Sequence, residues 1–127
     1  MNVKITDLLN FPIFFSKVKT QKLSFKTAYR LTLLAKEVEK HISFYKDTFG
    51  SLVMEYGKKD EQGNLIPTED GGSVLIQEGK IVELQQKIYE LDNLVAELPD
   101  TYFALDDFEG IELSPEEMVS IIPFIKE

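Results

Sequence analysis

From Ala28 onward, apolar side chains recur in alternating steps of three and four, through Leu31, Ala35, Val38, Ile42, Tyr45, Phe49, Leu52 and Tyr56. A 3.5-residue period held over nine positions without a proline requires one long amphipathic helix. Ser24 stands where a side-chain oxygen would take up amides of the first turn, and Gly57 stands where the rhythm stops. The spacing predicts a helix over 24–57, about 50 Å long at ~1.5 Å per residue.

Ile81, Leu84, Ile88, Leu91, Val95 and Leu98 repeat the rhythm until Pro99, which predicts a second helix over 80–98. Residues 58–79 are too many for a tight turn. They hold Gly63-Asn64 and Asp70-Gly71-Gly72 around the runs Leu65 to Thr68 and Ser73 to Gln77, which read as a β-hairpin with Pro67 on a sheet edge. The expected fold is mainly α: an antiparallel, coiled-coil-like helical hairpin with a β-hairpin at its tip and a short C-terminal helix. Folding back there would pair Tyr56 with Ile81, Leu52 with Leu84, Phe49 with Ile88, Tyr45 with Leu91 and Ile42 with Val95.

The second helix would run out near Val38. Ala28, Leu31 and Ala35 then need cover from Val3 to Phe15 or from Phe103 to Ile125, in the same chain or a neighbour. Further apolar residues lie off the seam at Tyr29, Leu33, Leu34, Phe44, Val53 and Met54, and at Val82, Tyr89 and Ala96. A stripe this wide implies burial against more than one neighbour.

The 127 residues suit one domain, comprising an N-terminal segment 1–20, the two helices, the hairpin tip and an acidic segment 99–127. Within that last segment, Ser114-Pro115-Glu116-Glu117 is a capping box that starts a short helix before Pro123. The chain has no cysteine, which excludes disulfides and thiolate chemistry. The apolar run Leu8 to Phe15 is broken by Asn10 and Pro12, so neither a signal peptide nor a membrane span is expected.

The net charge of -8 conceals an asymmetry. Residues 1–46 hold nine basic against three acidic side chains, and residues 47–127 hold five against nineteen. Such a charge dipole suits a polyanion at the basic end, a basic partner at the acidic end, or mutual neutralisation inside the fold or an assembly.

No constellation supports catalysis. His41 has no Ser, Cys or second His at a motif spacing, so it reads as structural. Asp60 to Asn64 fails as a calcium loop, because the glycine falls at the fourth position and position twelve is Gly71. Asp106, Asp107 and Glu109 read as a solvated acidic loop rather than a cation site. No cofactor or metal is expected. Lys19, Lys22, Lys26 and Arg30, in steps of three and four, form a basic stripe where the long helix begins. It faces either phosphates or, as the stronger reading, the acidic segment Asp100 to Glu117 of the same or a neighbouring chain.

The run Glu55-Tyr56-Gly57-Lys58-Lys59-Asp60-Glu61-Gln62-Gly63-Asn64, preceded by Lys22-Leu23-Ser24-Phe25-Lys26, resembles a family of small proteins of unknown function encoded by phages and prophages of low-GC bacteria. The similarity spans roughly residues 20–125 and implies a viral context, in the virion or the host cytoplasm, without transferring any site. The helix, β-hairpin, helix order also resembles a prefoldin subunit, with a much shorter second helix. The expected function is a non-enzymatic phage protein acting through protein contacts, as a small structural or assembly component and part of an oligomer. The alternative is an anti-defence or host-takeover inhibitor that binds a host protein through its acidic surface. Candidate interaction residues are the basic stripe, the seam at Ala28, Leu31 and Ala35, and the acidic loop Asp106, Asp107 and Glu109.

Overall fold

A computed structural model describes residues 1–126. In chain order the elements are β1 (Asn2–Lys4), α1 (Ile5–Leu8), α2 (Phe11–Val18), α3 (Phe25–Tyr56), α4 (Ile81–Asp92), β2 (Val95–Glu97) and α5 (Pro115–Val119), with 3-10 turns at Leu105–Phe108 and Ile122–Phe124. The protein is mainly α with a two-stranded antiparallel sheet. It forms two compact units, one from Met1–Ser43 and the chain from Leu94 onward, the other from Phe44–Asn93.

α3 begins and ends within a residue of where the sequence places it. Ser24 caps it: its Oγ accepts the Thr27 amide at 3.2 Å and its carbonyl accepts the Ala28 amide at 2.9 Å. Ser24 Oγ also donates to Thr27 Oγ1, which satisfies the hydroxyl of a buried threonine. At the other end the reason for glycine differs from the expected left-handed cap, since Gly57 has no positive φ. It is demanded by close approach: a Cβ there would fall onto Leu65 Cδ2 and lie 2.6 Å from the Val53 carbonyl oxygen.

In the first unit, Leu31, Leu34, Val38 and Ile42 of α3 are buried together with Val3, Leu8, Phe11, Phe14 and Val18 from the N-terminal segment and Ala96, Leu98, Phe103, Ile121 and Phe124 from the C-terminal one. Both terminal segments therefore supply the missing cover. Phe11 is the hub, with its ring 5.8 Å from Phe14 and 6.3 Å, edge-on, from Phe124. Phe108 closes the cluster edge-on against Phe14 at 5.7 Å. Such offset and edge contacts suit the ring quadrupoles and add to the burial of apolar area.

The second helix is shorter than expected. α4 stops at Asp92, and Val95–Glu97 forms β2, which pairs with β1 in the register Asn2 to Glu97, Val3 to Ala96 and Lys4 to Val95. Asn93 ends the helix by folding its Nδ2 back to the Tyr89 carbonyl at 2.8 Å. Beyond it the burial period changes from helical to two: Ala96 and Leu98 turn into the core, Val95 and Glu97 away from it. Hence Val95 is exposed and does not pair with the buried Ile42.

In the second unit, the expected β-hairpin is replaced by isolated bridges, Gly57 with Ile76, Lys59 with Leu65 and Pro67 with Val74. Leu65–Thr68 and Ser73–Gln77 do run antiparallel, but a third segment joins them. The Lys58 amide donates to the Leu75 carbonyl (2.8 Å), the Leu75 amide to Ile66 (2.8 Å), and the Ile66 amide to Lys58 (3.0 Å). The three central residues thus close a ring of backbone hydrogen bonds. Pro67 has no amide to lose, and the neighbouring Thr68 amide makes the bond to Ser73 instead. Gln77 reaches back from the end of the Ser73–Gln77 segment, donating from Nε2 to the carbonyls of Glu55 and Gly57 at 3.1 and 3.2 Å. That satisfies acceptors the end of α3 leaves open. Tyr56, Leu84 and Leu91 are the buried apolar residues of this unit. Tyr45 donates to Asp92 Oδ1 at 2.6 Å, next to its expected partner Leu91.

Candidate interaction surface

The basic residues do not form one helical stripe. Lys19 is the C-cap of α2, Lys22 lies in the loop that follows, and Lys26 and Arg30 alone stand on α3. The correction has a simple cause: α3 starts at Phe25, so the three-and-four spacing upstream of it is not helical spacing. Arg30 leaves the group altogether. Its Nη2 donates to the Tyr102 carbonyl, and its guanidinium lies 4.8 Å over the Phe103 ring, so it docks on the acidic segment's backbone and an aromatic face rather than on a carboxylate.

Two ion pairs join the N-terminal part to the acidic segment: the Met1 amino group sits 2.7 Å from Asp100 Oδ1, and Lys17 Nζ sits 2.9 Å from Glu117 Oε1. The same Oε1 accepts the Ser114 amide at 2.9 Å, completing the capping box with the Ser114 Oγ to Glu117 amide bond. These contacts, the Ser114 amide first and Lys17 second, hold the Glu117 carboxyl down to about 2. Sequence spacing exposed the capping box but gave no signal for Lys17, which lies a hundred residues away.

Lys19, Lys22 and Lys26 have no carboxylate within ion-pair distance among the described residues. Lys19 and Lys22 rim a shallow cleft of about 470 Å³ between the end of α2 and the first turns of α3, with Phe15, Leu23 and Ala28 on its walls. Of the expected seam, Ala28 lines this cleft, Leu31 is core and Ala35 is half-buried against the core. Leu31 also forms part of the cleft's floor, although it is buried. Asp107 turns inward to cap the 3-10 turn, its Oδ2 accepting the Ala104 amide at 2.8 Å, while Asp106 and Glu109 stay exposed. No group of three metal-ligating side chains occurs among the described residues. Asp60 serves its own loop, accepting the amides of Gln62 and Asn64.

What sequence spacing missed is a row on the outer face of α3. Phe25, Tyr29 and Leu33, each one turn from the next, are 88%, 59% and 47% exposed. Tyr29 and Leu33, which lie off the main seam, have no cover within this unit. Eleven residues are about three turns, so Lys36 returns to the line of Phe25 while Lys26 flanks it. α4 carries a second such face, where Val82 and Tyr89, two turns apart, are 73% and 65% exposed.

Comparison with family models, with curated proteins and with solved structures finds no match to this chain. Among the described residues, no helix is long and apolar enough to cross a membrane.

Proposed function

We propose that the chain is a non-enzymatic phage protein that works through protein contacts, as a small structural or assembly component. The observation that carries this reading is the outward row Phe25, Tyr29 and Leu33. Three large apolar side chains on one helix line cost solubility unless a partner covers them, and the helix-in-groove mode of recognition uses this spacing. The viral context rests on the resemblance of the Glu55 to Asn64 run and of the preceding Lys22 to Lys26. Within the molecule, the distal half of α3 and α4 are read as an antiparallel helical hairpin, which the Tyr45 to Asp92 hydrogen bond supports.

Light scattering across a salt series, together with a search for the protein in purified particles, tests the proposal. Self-association or incorporation into particles is the expected result. A strict monomer at low salt and high concentration that is also absent from particles overturns it.

A further inference from the structure

From Leu8 to Lys36 the chain carries no carboxylate side chain, and six side chains there are basic. The fold engages two of the six, Lys17 on Glu117 and Arg30 on the Tyr102 carbonyl and the Phe103 ring. Lys19, Lys22, Lys26 and Lys36 stay exposed, with no ion-pair partner among the described residues. The acidic segment of the chain is therefore not their counterpart, although it belongs to the same compact unit.

The free lysines border the outward row of α3. Lys22 precedes the Ser24 cap, Lys26 flanks Phe25 and Tyr29, and Lys36 returns to the line of Phe25 about three turns on. Ala28 and Thr32, three residues on from Phe25 and Tyr29, line the cleft rimmed by Lys19 and Lys22, so the cleft opens beside the row. The first carboxylates of α3 come only after the row: Glu37, held by Lys40 at 3.0 Å, and the exposed Glu39. Row, cleft and lysines all belong to the first compact unit.

Resting on the protein-contact reading above, we propose that this face receives an acidic amphipathic helix of another protein. Its apolar side chains lie against Phe25, Tyr29 and Leu33, and its carboxylates against Lys22, Lys26 and Lys36. One-turn spacing on α3 matches the i, i+4 spacing of anchors on such a helix, and rim charges of opposite sign select the partner and its register. A single-stranded nucleic acid would also meet the lysines, but bases stack on rings, and the third member of the row is the aliphatic Leu33.

The test uses the full chain and two labelled synthetic helices, read by fluorescence anisotropy at low salt. Both probes carry leucines at one-turn spacing; one flanks them with glutamates, the other with lysines. The native chain is expected to bind the acidic probe at least about tenfold more tightly than the basic one. Lys26→Glu/Lys36→Glu is expected to reverse that preference, and the milder Lys26→Gln/Lys36→Gln to reduce it. Tyr29→Ser/Leu33→Ser is expected to weaken the acidic probe at least about tenfold while keeping the preference. All four positions are exposed, and circular dichroism checks that each variant is helical. Equal binding of the two probes by the native chain, or a preference that survives the charge reversal, overturns the acidic partner. So does tighter binding of oligo(dT), or of phosphatidylserine vesicles, than of the acidic probe. A chain that binds neither probe yet self-associates or enters particles overturns the acidic partner and leaves the protein-contact reading standing; a monomer that is absent from particles and binds neither brings both down.

Discussion

Ser120 is fully buried, and its Oγ has no hydrogen-bond partner among the described residues. A hydroxyl withdrawn from water without compensation costs about 1–3 kcal/mol, so Ser120→Ala should stabilise the protein by about 1 kcal/mol in urea unfolding. Gly57 has the opposite sensitivity. A methyl group there meets Leu65 and the Val53 carbonyl, and Gly57→Ala should destabilise by about 1–3 kcal/mol in the same assay, the ordinary cost of overpacking. Both positions show why residue identity alone misleads. A serine in the sequence Val119-Ser120-Ile121 gives no sign that its hydroxyl is unpaired, and a glycine after a helix suggests a left-handed cap that the backbone does not adopt here.

Among the elements, α3 was fully legible because nine positions of one period outweigh any local ambiguity, and the capping boundary at Ser24 followed from the same reasoning. α4 was legible only to Asp92. Val95 and Leu98 extend its rhythm by coincidence, and what ends it is a tertiary event: β1, at the other end of the chain, offers Val95–Glu97 a backbone partner. No window of sequence around residue 95 contains that information. The stripe Lys19 to Arg30 failed for the related reason that a spacing has helical meaning only inside a helix. Between α3 and α4, the Tyr45 hydroxyl donates to Asp92, and this bond first, with burial second, raises the phenol to about 12. A raised folded value means that the neutral phenol is the favoured form. Its contribution is therefore complete below the ordinary value of 10.0 and is lost as pH climbs through about 12. Burial also raises the Tyr56 phenol, so ultraviolet titration should show two phenolates appearing late, and Tyr45→Phe should remove one of them while leaving the earlier steps in place.

For the whole molecule, the basic and acidic ends of the sequence both belong to one compact unit. Lys17 and Glu117 meet there. Glu117 titrates near 2 in the folded chain against an ordinary 4.5, so its contribution is present above about 4.5 and disappears as pH falls towards about 2. Thermal midpoints of the native chain and Glu117→Gln should differ at neutral pH and converge towards pH 2. Parallel curves throughout would show that the Lys17 and Ser114 contacts do not govern acid stability.

The pairing of β1 with β2 has a kinetic consequence. It joins residues more than ninety positions apart, and one compact unit is built from the two ends of the chain while the other, Phe44–Asn93, is continuous in sequence. Closing a loop costs entropy that rises with the length of disordered chain enclosed, and local structure formed first shortens that length. The continuous unit can order unaided, from α4 and the ring of bonds among Lys58, Ile66 and Leu75, before the ends find each other. Pulse-labelled hydrogen exchange during refolding should therefore protect the amides of Lys58, Ile66 and Leu75 ahead of those of Ile5 and Leu98, making the middle of the chain the first to fold and its two ends the last.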